Sequence, residues 1–400
     1  MVAFRKLNEI EVKDKKILLR VDLNVPIHEG IISDSHRIEK IIPTVNNILE
    51  RGGYPILISH FGRPKGKFNS AMSLAPIAAT ISASMEKPVH FVKDCIGPNA
   101  ETKIKGMNLG EIALLENLRF HPGEEQNDSE FASSLARLGD VYVNDAFSTS
   151  HRAHASTFGL AHLIPSAAGL QMEAELKALE AALEKPKHPL VAVVGGSKVS
   201  TKFGVLSHLM KKVDTIIIGG GMANTFLFAN GIEVGLSLCE KNLAEPAKTI
   251  LSESIKNNCE IILPIDGVVA HEFRAGASNY QSNLESLADE AMILDLGPKS
   301  LEIIKNKFSE AATILWNGPL GAFEIKPFNN CTNSAALFAA KLTRNNKLIS
   351  IAGGGDTVAA LRQSGAYDDF NYVSTAGGAF LEWMEGKSLP GVAALQNNLH

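Results

Sequence analysis

Short apolar runs, bounded by glycine, proline or polar turns, recur along the whole chain and are separated by stretches of helical length. Runs that are apolar throughout are typical of strands buried on both faces of a parallel sheet. Their alternation with helical stretches predicts βαβ units, so the expected fold class is α/β with parallel sheets. The predicted strands are Ile56–Ser59, Ile112–Leu115, Val141–Asn144, Leu190–Val194, Thr215–Ile218, Ile261–Leu263, Thr313–Trp316 and Leu348–Ile351.

One longer helix is predicted near the middle of the chain, over residues 171–185. It places Met172, Leu176 and Leu183 on one apolar stripe, and Pro186 stops it. The chain of 400 residues exceeds the usual size of a single domain. We therefore expect two domains connected by this helix, with a boundary close to Pro186.

The composition of the chain limits the kinds of partner that the protein is expected to bind. A formal net charge of −4 with 45% hydrophobic residues describes a globular protein without the broad basic surface that attracts nucleic acid or an anionic membrane. The four cysteines are far apart and form no CxxC pair, which indicates neither a zinc site nor a disulfide framework and fits a reducing cytosol. Neither a signal peptide nor a membrane-spanning run is expected. We expect a cytoplasmic protein with no nucleic-acid or membrane partner.

Polar residues alternate directly after the apolar run Ile17–Leu19. Arg20, Asp22 and Asn24 occupy every second position. Because a strand alternates its side chains between faces, these three are expected to converge on one spot. Such a set suits an anionic, hydroxylated ligand. Taken alone, the segment fits a hairpin end with a solvated polar face equally well.

Basic residues follow later strands of the first half. They are His60 and Arg63, Arg119, and His151 and Arg152, while Arg37 precedes a helical stretch. In an open parallel sheet the loops after the carboxyl ends of the strands gather and hold ligands. Guanidinium groups bind carboxylate or phosphate through two parallel hydrogen bonds, so a local anion site is expected. Each arginine singly also fits a surface ion pair, and the histidines are expected to hydrogen-bond phosphate rather than carry protons.

Glycine and lysine take the corresponding places in the second half, in the loops 195–202, 219–221 and 353–357. Glycine lets backbone amides approach a phosphate, and lysine supplies a compact positive charge. Neither GxxxxGK[ST] nor GxGxxG is complete, so a Walker A loop is excluded and a dinucleotide site is disfavoured. A nucleotide-phosphate site is expected. Asp356 either caps a helix or binds magnesium, and Glu324 is either solvated or bound to a ribose hydroxyl.

Seven segments occur in the order LLRVDLNVP, SHFGRPKG, LLENLRFHPGEE, VNDAFSTSHRAHAST, VVGGSKVSTK, LWNGPLGAFE and GGGDT. In this combination the chain resembles the phosphoglycerate kinase family over essentially its whole length. The resemblance implies two doubly wound parallel-sheet (Rossmann-like) domains joined by a hinge helix. It implies a phosphoglycerate-binding domain at 1–170, a connecting helix at 171–186, a nucleotide-binding domain at 187–385 and a tail, 386–400, that returns to the first domain.

The resemblance also implies a reaction. The γ-phosphoryl group of ATP passes reversibly to the carboxylate of 3-phosphoglycerate, giving 1,3-bisphosphoglycerate and ADP, in glycolysis and gluconeogenesis. Magnesium would accompany the nucleotide, the protein would be a monomer, and hinge closure would bring the two ligands together. Because the nucleophile is already ionised, no catalytic histidine is expected, and charge neutralisation and placement supply most of the catalysis.

Site residues carry over position by position. The substrate would be held by Asp22, Leu23, Asn24, Arg37, His60, Phe61, Gly62, Arg63, Arg119, His151 and Arg152. The nucleotide would be held by Lys198, Lys202, Gly219, Gly220, Asn317, Glu324, Gly354, Gly355, Asp356 and Thr357, with Asp356 on the magnesium ion. Arg37, Lys202, Lys198, Gly354 and Gly377 would be catalytic.

Ala376 departs from the family pattern, which commonly has a third glycine at this place. If that glycine needed a positive φ, alanine would be strained there. Two other functions compete with the kinase: a scaffold that has lost catalysis, and a nicotinamide dehydrogenase suggested by the glycine-rich loops. Retention of Arg37, Lys198, Lys202 and Asp356 together argues against the scaffold.

Overall fold

The computed structural model describes residues 4–28 and 31–396, which form two compact units. Unit 1 comprises residues 1–176 and 388–400, and unit 2 comprises residues 177–387. Residues 397–400 of the expected C-terminal tail lie outside the described part. Each unit contains a six-stranded parallel sheet with flanking helices, which confirms the α/β fold class.

The sheet of unit 1 reverses its strand order at its first strand. The strands are β1 (Lys16–Arg20), β2 (Ile27–His28), β3 (Ile31–Ile32), β4 (Tyr54–Ile58), β5 (Val89–Val92), β6 (Ile112–Leu115), β7 (Val141–Asn144) and β8 (Ser166–Ala168). Six of them are parallel in the order β5-β6-β4-β1-β7-β8, and β2 and β3 form a short antiparallel pair. In such sheets ligands bind where the order reverses, outside the carboxyl ends of the strands.

The longer helices cover the sheet because they present apolar stripes to it. In unit 1 they are α1 (His36–Glu50), α2 (Ala75–Met85), α3 (Gly97–Lys105), α4 (Pro122–Glu125), α5 (Ser129–Ala136) and the start of α6 (Leu170–Leu179). Helix α1 illustrates the pattern, since Ile38, Ile41, Val45 and Ile48 are buried at helical spacing in the same core as Leu19 of β1. The stripe holds the N-terminus of α1, and with it Arg37, at the carboxyl edge of the sheet.

Unit 2 repeats this arrangement and adds a small second sheet. Its strands are β9 (Leu190–Val194), β10 (Thr215–Ile218), β11 (Glu260–Ile262), β12 (Asp266–Ala270), β13 (Asn279–Asn283), β14 (Met292–Leu296), β15 (Thr313–Asn317), β16 (Ile349–Gly353) and β17 (Tyr372–Ser374). The parallel order is β11-β10-β9-β15-β16-β17, with the reversal between β9 and β15. Its helices are α7 (Phe203–Leu209), α8 (Gly221–Ala229), α9 (Ala244–Lys256), α10 (Pro298–Glu310), α11 (Asn330–Arg344), α12 (Gly355–Ser364) and α13 (Gly377–Met384).

The pattern of apolar runs missed the antiparallel sheet, whose order is β13-β12-β14. Strand β13 reads Asn-Tyr-Gln-Ser-Asn and is mostly exposed, so it carries no apolar run. The edge strands β5, β8 and β17 were also missed, because they are short or half-exposed. A strand paired on one side contributes little to a core and leaves a weak hydrophobic signal.

The predicted central helix begins at Leu170 as α6 and continues from Glu180 to Glu184 with π geometry. The division between the units falls inside it, after Leu176. The last helix, α14 (Pro390–Gln396), returns to unit 1, where the N–H of Gly391 donates to the carbonyl oxygen of Ser150 at 2.9 Å. Among the described residues, no helix is both long and apolar enough to cross a membrane.

Ala376 is unstrained. Its φ of −92° and ψ of 62° lie outside the left-handed region, so a glycine is not required there. The residue is buried and precedes α13 directly. The absence of a third glycine therefore leaves the N-terminus of α13 intact.

Candidate functional site

The predicted substrate residues of unit 1 lie on loops at one edge of its sheet. Asp22 and Asn24 follow β1, and the segment 60–63 follows β4. Arg119 follows β6, and the pair 151–152 follows β7. Parallel strands end at the same edge, so the topology gathers segments that are distant in sequence.

Arg37 and Asp22 form the best-defined pair in this group. Arg37 Nη1 donates to Asp22 Oδ2 at 2.8 Å and to the carbonyl oxygen of Asn24 at 3.1 Å. Asp22 also accepts a hydrogen bond of 2.5 Å from Ser148 Oγ. Burial by itself raises the pKa of Asp22. The opposing effects of Arg37, His60 and the Ser148 hydroxyl are larger together, so the net shift of this pKa is downward. Asp22 is therefore an ionised acceptor that orients the Arg37 guanidinium.

The loop after β4 is held by hydrogen bonds from both neighbouring loops. The backbone N–H of Gly62 donates to Asn24 Oδ1 at 2.9 Å, and Arg119 Nη1 donates to the Gly62 carbonyl oxygen at 2.9 Å. Asn117 clamps the adjacent residue, since its side chain accepts from the N–H of Phe61 and donates to its carbonyl oxygen. Gly62 adopts a φ of +60°, where a side chain would be strained. The loop is thus fixed before any ligand arrives.

Arg20 does not share the exposed spot with Asp22 and Asn24, and this expectation was wrong. Strand β1 ends at Arg20, so the alternation stops before Asp22. The Arg20 side chain is fully buried and donates to Ser156 Oγ at 2.9 Å and to the carbonyl oxygen of Val21. Ser156 Oγ in turn donates to Glu124 Oε1 at 2.6 Å. Arg20 is a core cation balanced by a buried carboxylate.

Arg20 nevertheless acts on the site through His60. Its Nη2 lies 3.2 Å from His60 Nδ1. A guanidinium has no acceptor, so Nδ1 must accept and the proton of a neutral His60 ring resides on Nε2. Burial, assisted by the charge of Arg20, holds the pKa of His60 well below its usual range. His60 is therefore a neutral hydrogen-bond donor.

The remaining predicted residues of unit 1 differ in exposure. Arg63 and Arg152 are exposed, and Arg152 Nε donates to His151 Nε2 at 3.3 Å. Arg119 is largely buried and forms an ion pair with Glu125 at 3.3 Å. Leu23 is fully buried, so its side chain belongs to the core. Only its backbone could reach a ligand.

In unit 2 the predicted nucleotide loops meet at the reversal point between β9 and β15. Glycine is required here by close approach of backbones, since a Cβ on Gly195 would collide with the carbonyl oxygen of Pro319. Gly219 is buried against Leu320, and the N–H of Gly220 donates to the Leu320 carbonyl oxygen at 2.7 Å. The loop after β15 therefore packs directly on the loops after β9 and β10.

Lys202 is the partly buried cation of this site. Its Nζ donates to Asn317 Oδ1, and Asn317 Nδ2 donates to the carbonyl oxygen of Gly353 at 2.7 Å. Burial lowers the pKa of Lys202 to about 8, and the nearby carboxylates of Asp356 and Glu385 only partly oppose this shift. Since its hydrogen-bond partner is neutral, Lys202 lacks a full counter-charge. Lys198, by contrast, is exposed.

Helix α12 directs its N-terminus at the same place. Gly354 precedes it with a φ of +99°, and no side chain caps the helix. Thr357, in the first turn, accepts a hydrogen bond of 2.7 Å from the N–H of Gly318 and so ties α12 to the loop after β15. Free amides and the positive end of the helix dipole make such a terminus a site for anions. Asp356, in the same turn, is exposed.

An apolar cavity of about 470 Å³ adjoins these loops within unit 2. Glycines of the β9 and β10 loops line one end, together with Asp356, while Glu324 lies on the wall. Side chains that the sequence analysis did not single out line much of the rest, namely Leu236, Leu238, Phe273, Met292, Leu294 and Leu320. Apolar walls with a few polar groups are typical of sites for small molecules and cofactors.

A family model described as Phosphoglycerate kinase matches residues 7–387 of this chain. A phosphoglycerate kinase of Chelativorans sp. (strain BNC1) is 55% identical over 397 residues, which cover 99% of this chain and 100% of that protein. The chain belongs to the phosphoglycerate kinase family. The protein catalyses reversible phosphoryl transfer between ATP and the carboxylate of 3-phosphoglycerate, the glycolytic reaction of this family.

Other members of the phosphoglycerate kinase family agree in sequence and in structure. One from Cereibacter sphaeroides (strain ATCC 17029 / ATH 2.4.9) is 56% identical over 395 residues, covering 98% of this chain and 100% of that one. The structure of phosphoglycerate kinase from Coxiella burnetii matches with a TM-score of 0.92 at 40% identity over 100% of both chains. The family resemblance read from the seven segments is thereby confirmed.

Residues that support the phosphoglycerate kinase site without charge were the ones missed by sequence reasoning. Asn117 is fully buried and organises the loop after β4, and Ser148 donates to Asp22. Both lie within the quoted segments, which was the only signal for them. Leu236 and Leu238 lie on the loop after α8 and Phe273 lies on the loop after β12, and none of them gave a local signal.

Proposed function

We propose that the unit 1 cluster binds 3-phosphoglycerate and that the unit 2 loops and cavity bind the nucleotide. The observation that carries this assignment is the convergence in unit 2 of a glycine-capped helix, a partly buried lysine and an exposed carboxylate beside an apolar cavity. These groups match the phosphates, charge and base of a nucleotide. Unit 1 offers arginines and neutral donors, which match a small phosphorylated acid.

In unit 1, exposed and buried groups have different tasks. Arg63 and Arg152 are free to turn toward an anion, whereas Arg37 is held in place by Asp22. The neutral Nε2–H of His60 suits a hydroxyl or phosphate oxygen of the substrate. Asp22 and Asn24 add acceptors for the substrate hydroxyl. The set neutralises a ligand that carries both a phosphate and a carboxylate.

In unit 2, the cavity suits the base, Glu324 the ribose, and the N-terminus of α12 with Lys198 the phosphates. Asp356 fits magnesium, because it offers an exposed hard oxygen ligand beside the place for phosphates. Magnesium is usually bound through one or two carboxylates together with substrate phosphates, as this single carboxylate would allow. When bound, the ion neutralises phosphate charge and orients the terminal phosphoryl group.

Catalysis then depends on charge and placement. The carboxylate nucleophile is ionised at neutral pH, so no side chain needs to remove a proton. We assign Arg37 and Lys202, with Lys198 in a lesser role, to stabilising the charge on the transferring phosphoryl group. Gly354 and Gly377 precede or begin α12 and α13 and would contribute backbone N–H groups. Because the ligands bind to different units, the two sites must approach during turnover, and closure also excludes water from the acyl phosphate.

The proposal also includes the cellular compartment, the oligomeric state and the absence of nucleic-acid or membrane partners. The modest net charge of −4 supports a cytoplasmic monomer that binds neither nucleic acid nor membranes. The free cysteines support a reducing compartment.

The deciding experiment is acyl phosphate formation from magnesium-ATP and 3-phosphoglycerate, trapped as the hydroxamate. 2-Phosphoglycerate is the control acceptor, and omission of magnesium tests the ion. We expect product only with the 3-isomer and only with a divalent cation. Product that forms equally with both isomers would refute the assignment of the unit 1 cluster, and full activity with chelator present would refute the role of magnesium.

A further inference from the structure

Away from the residues assigned to substrate and nucleotide, three side chains of unit 1 bring an oxygen, a sulfur and a nitrogen donor together. Asp94, Cys95 and His121 each offer one ligand atom, and these atoms lie within 4.8 Å of one another. Asp94 and Cys95 follow β5, while His121 follows β6. These strands are parallel neighbours, so their carboxyl ends place the two loops side by side.

The contacts already present leave donors available. Asp94 Oδ1 accepts from the backbone N–H of Cys95 at 2.7 Å and pairs with His121 Nε2 at 2.8 Å. Both contacts use the same oxygen, so Oδ2 stays available as a ligand. The His121 ring stacks on Phe131 with centroids 5.3 Å apart, which limits its rotation.

The three side chains differ in their exposure to solvent. Asp94 and His121 are 47% and 30% exposed, whereas Cys95 is fully buried. An ion could therefore arrive from solvent through the carboxylate and the imidazole and reach the sulfur from that side. The position facing solvent would remain for water.

The donor set selects the kind of ion. Zinc binds cysteine sulfur, histidine nitrogen and carboxylate oxygen in tetrahedral sites, where ligand atoms are separated by roughly 3.5 Å. The present limit of 4.8 Å therefore requires a contraction of about 1.3 Å at most. Magnesium prefers oxygen ligands alone and does not suit a thiolate.

Burial, together with the charges of Asp94, Glu124 and Glu116, raises the pKa of the Cys95 thiol, so the thiol keeps its proton until a metal ion replaces it. On binding, the sulfur–zinc bond forms, the S–H bond breaks, and the thiol proton leaves to solvent.

We propose that Asp94, Cys95 and His121 form a zinc-binding site with a water as fourth ligand. The site would tie the loop after β5 to the loop after β6. It is distinct from the magnesium that accompanies the nucleotide in unit 2. Its expected consequence is a zinc-dependent rise in the thermal stability of the protein.

Cobalt(II) is the probe, because thiolate coordination produces a charge-transfer absorption band that oxygen and nitrogen ligands alone do not. We expect one equivalent of cobalt to produce this band in the full-length protein, zinc to displace it, and excess magnesium to leave it unchanged. Cys95→Ser should abolish the band, and His121→Asn should weaken cobalt affinity by about tenfold or more.

Cys239→Ser is the matched control, since this partly exposed thiol lies in unit 2 and should not affect the band. Circular dichroism verifies that each variant is folded, and His121→Asn changes a side chain that is partly exposed and so tolerates replacement. The proposal is overturned if wild-type protein gives no band, if the band survives Cys95→Ser, or if Cys239→Ser removes it. A normal cobalt affinity in folded His121→Asn would also overturn it.

Discussion

Arg20 in unit 1 and Lys202 in unit 2 are withdrawn from solvent, one fully and one partly, near the ligand sites proposed above, yet their surroundings are opposite. Arg20 is fully buried and bonded through Ser156 to the carboxylate of Glu124. Lys202 is partly buried and donates to the neutral amide of Asn317. One cation is compensated by the fold, and the other is left for a ligand to compensate.

This difference separates structural from functional charge. A compensated cation orients its neighbour, as Arg20 does for His60. Lys202 is only partly compensated by Asp356 and Glu385, so burial lowers its pKa, and an anionic ligand would relieve the cost of desolvating this charge. Removing each cation should therefore have opposite effects on folding and on catalysis.

The largest effect is expected for Arg20→Met. It leaves Glu124 buried without its cation, and breaking a buried pair in this way costs about 3–5 kcal/mol. We expect the free energy of unfolding, measured in urea, to fall by this amount. Adding Glu124→Gln should recover part of the loss. If Arg20→Met costs less than about 1 kcal/mol, Arg20 is not the compensated charge described above.

Lys202→Met should have the opposite effect to Arg20→Met, lowering kcat without lowering the stability of the fold. Loss of a contact to the transferring phosphoryl group costs about 3 kcal/mol, so kcat should fall about a hundredfold. The unfolding midpoint should not fall, because a desolvated charge is removed. Steady-state rates with both substrates saturating provide the measurement, and exposed Lys198→Met should reduce kcat less. A lowered midpoint in Lys202→Met would contradict the contrast with Arg20.

Gly354→Ala tests the backbone part of the unit 2 site. Its φ of +99° is strained for alanine, and the new Cβ would lie 2.7 Å from Nδ2 of Asn317, the residue whose Oδ1 accepts the hydrogen bond of Lys202. Strain of this kind costs about 1–3 kcal/mol, so the KM for nucleotide should rise roughly tenfold or more. Gly106→Ala in unit 1 is the control, because its φ is not positive and its nearest neighbour would be 3.6 Å away. Equal KM values in the two variants would exclude a special role for Gly354.

The smallest effect is a pH dependence. Lys202 is charged below its pKa of about 8 and neutral above it, so nucleotide affinity should decline as pH rises through 8, by at most about tenfold per unit. In the ligand-free protein the unfolded state holds this proton to higher pH, so stability should rise with pH between about 8 and 10.5 relative to Lys202→Met. Lys202→Arg stays charged and should show neither dependence. Calorimetric titration with nucleotide at several pH values measures the first effect, and the same decline in Lys202→Arg would assign it elsewhere.

The fold class was accessible from the sequence because buried parallel strands are apolar along their whole length. Runs such as Leu190–Val194 and Val141–Asn144 can therefore be recognised as strands from the sequence. Strand β13 does not, since its side chains are mostly exposed and it is defined by its pairing with β12. Pairing energy comes from backbone groups that every residue carries, so composition does not reveal it.

The residues of the candidate site also differ in how readily the sequence suggested them. Charged and glycine residues in loops or at a helix start, such as Lys202, Gly354 and Arg37, were predicted because their chemistry suits an anion at those positions. Arg20 was misplaced, because alternation was extended beyond the last residue of β1. Asn117 and the apolar wall of the cavity escaped notice, since their residue types are common and only their contacts give them a role.

By itself, the sequence determined the α/β class and the family, and it supplied most of the charged residues that we propose as ligand contacts. Tertiary structure alone decided which cation is compensated, which tautomer His60 adopts, and which residues of distant segments become neighbours. The assembly of Asp94, Cys95 and His121 is the sharpest instance, because the spacing of the cysteines in the sequence indicated no zinc site. Burial and proximity depend on how strands pair and helices pack, and these are properties of the folded chain rather than of any segment.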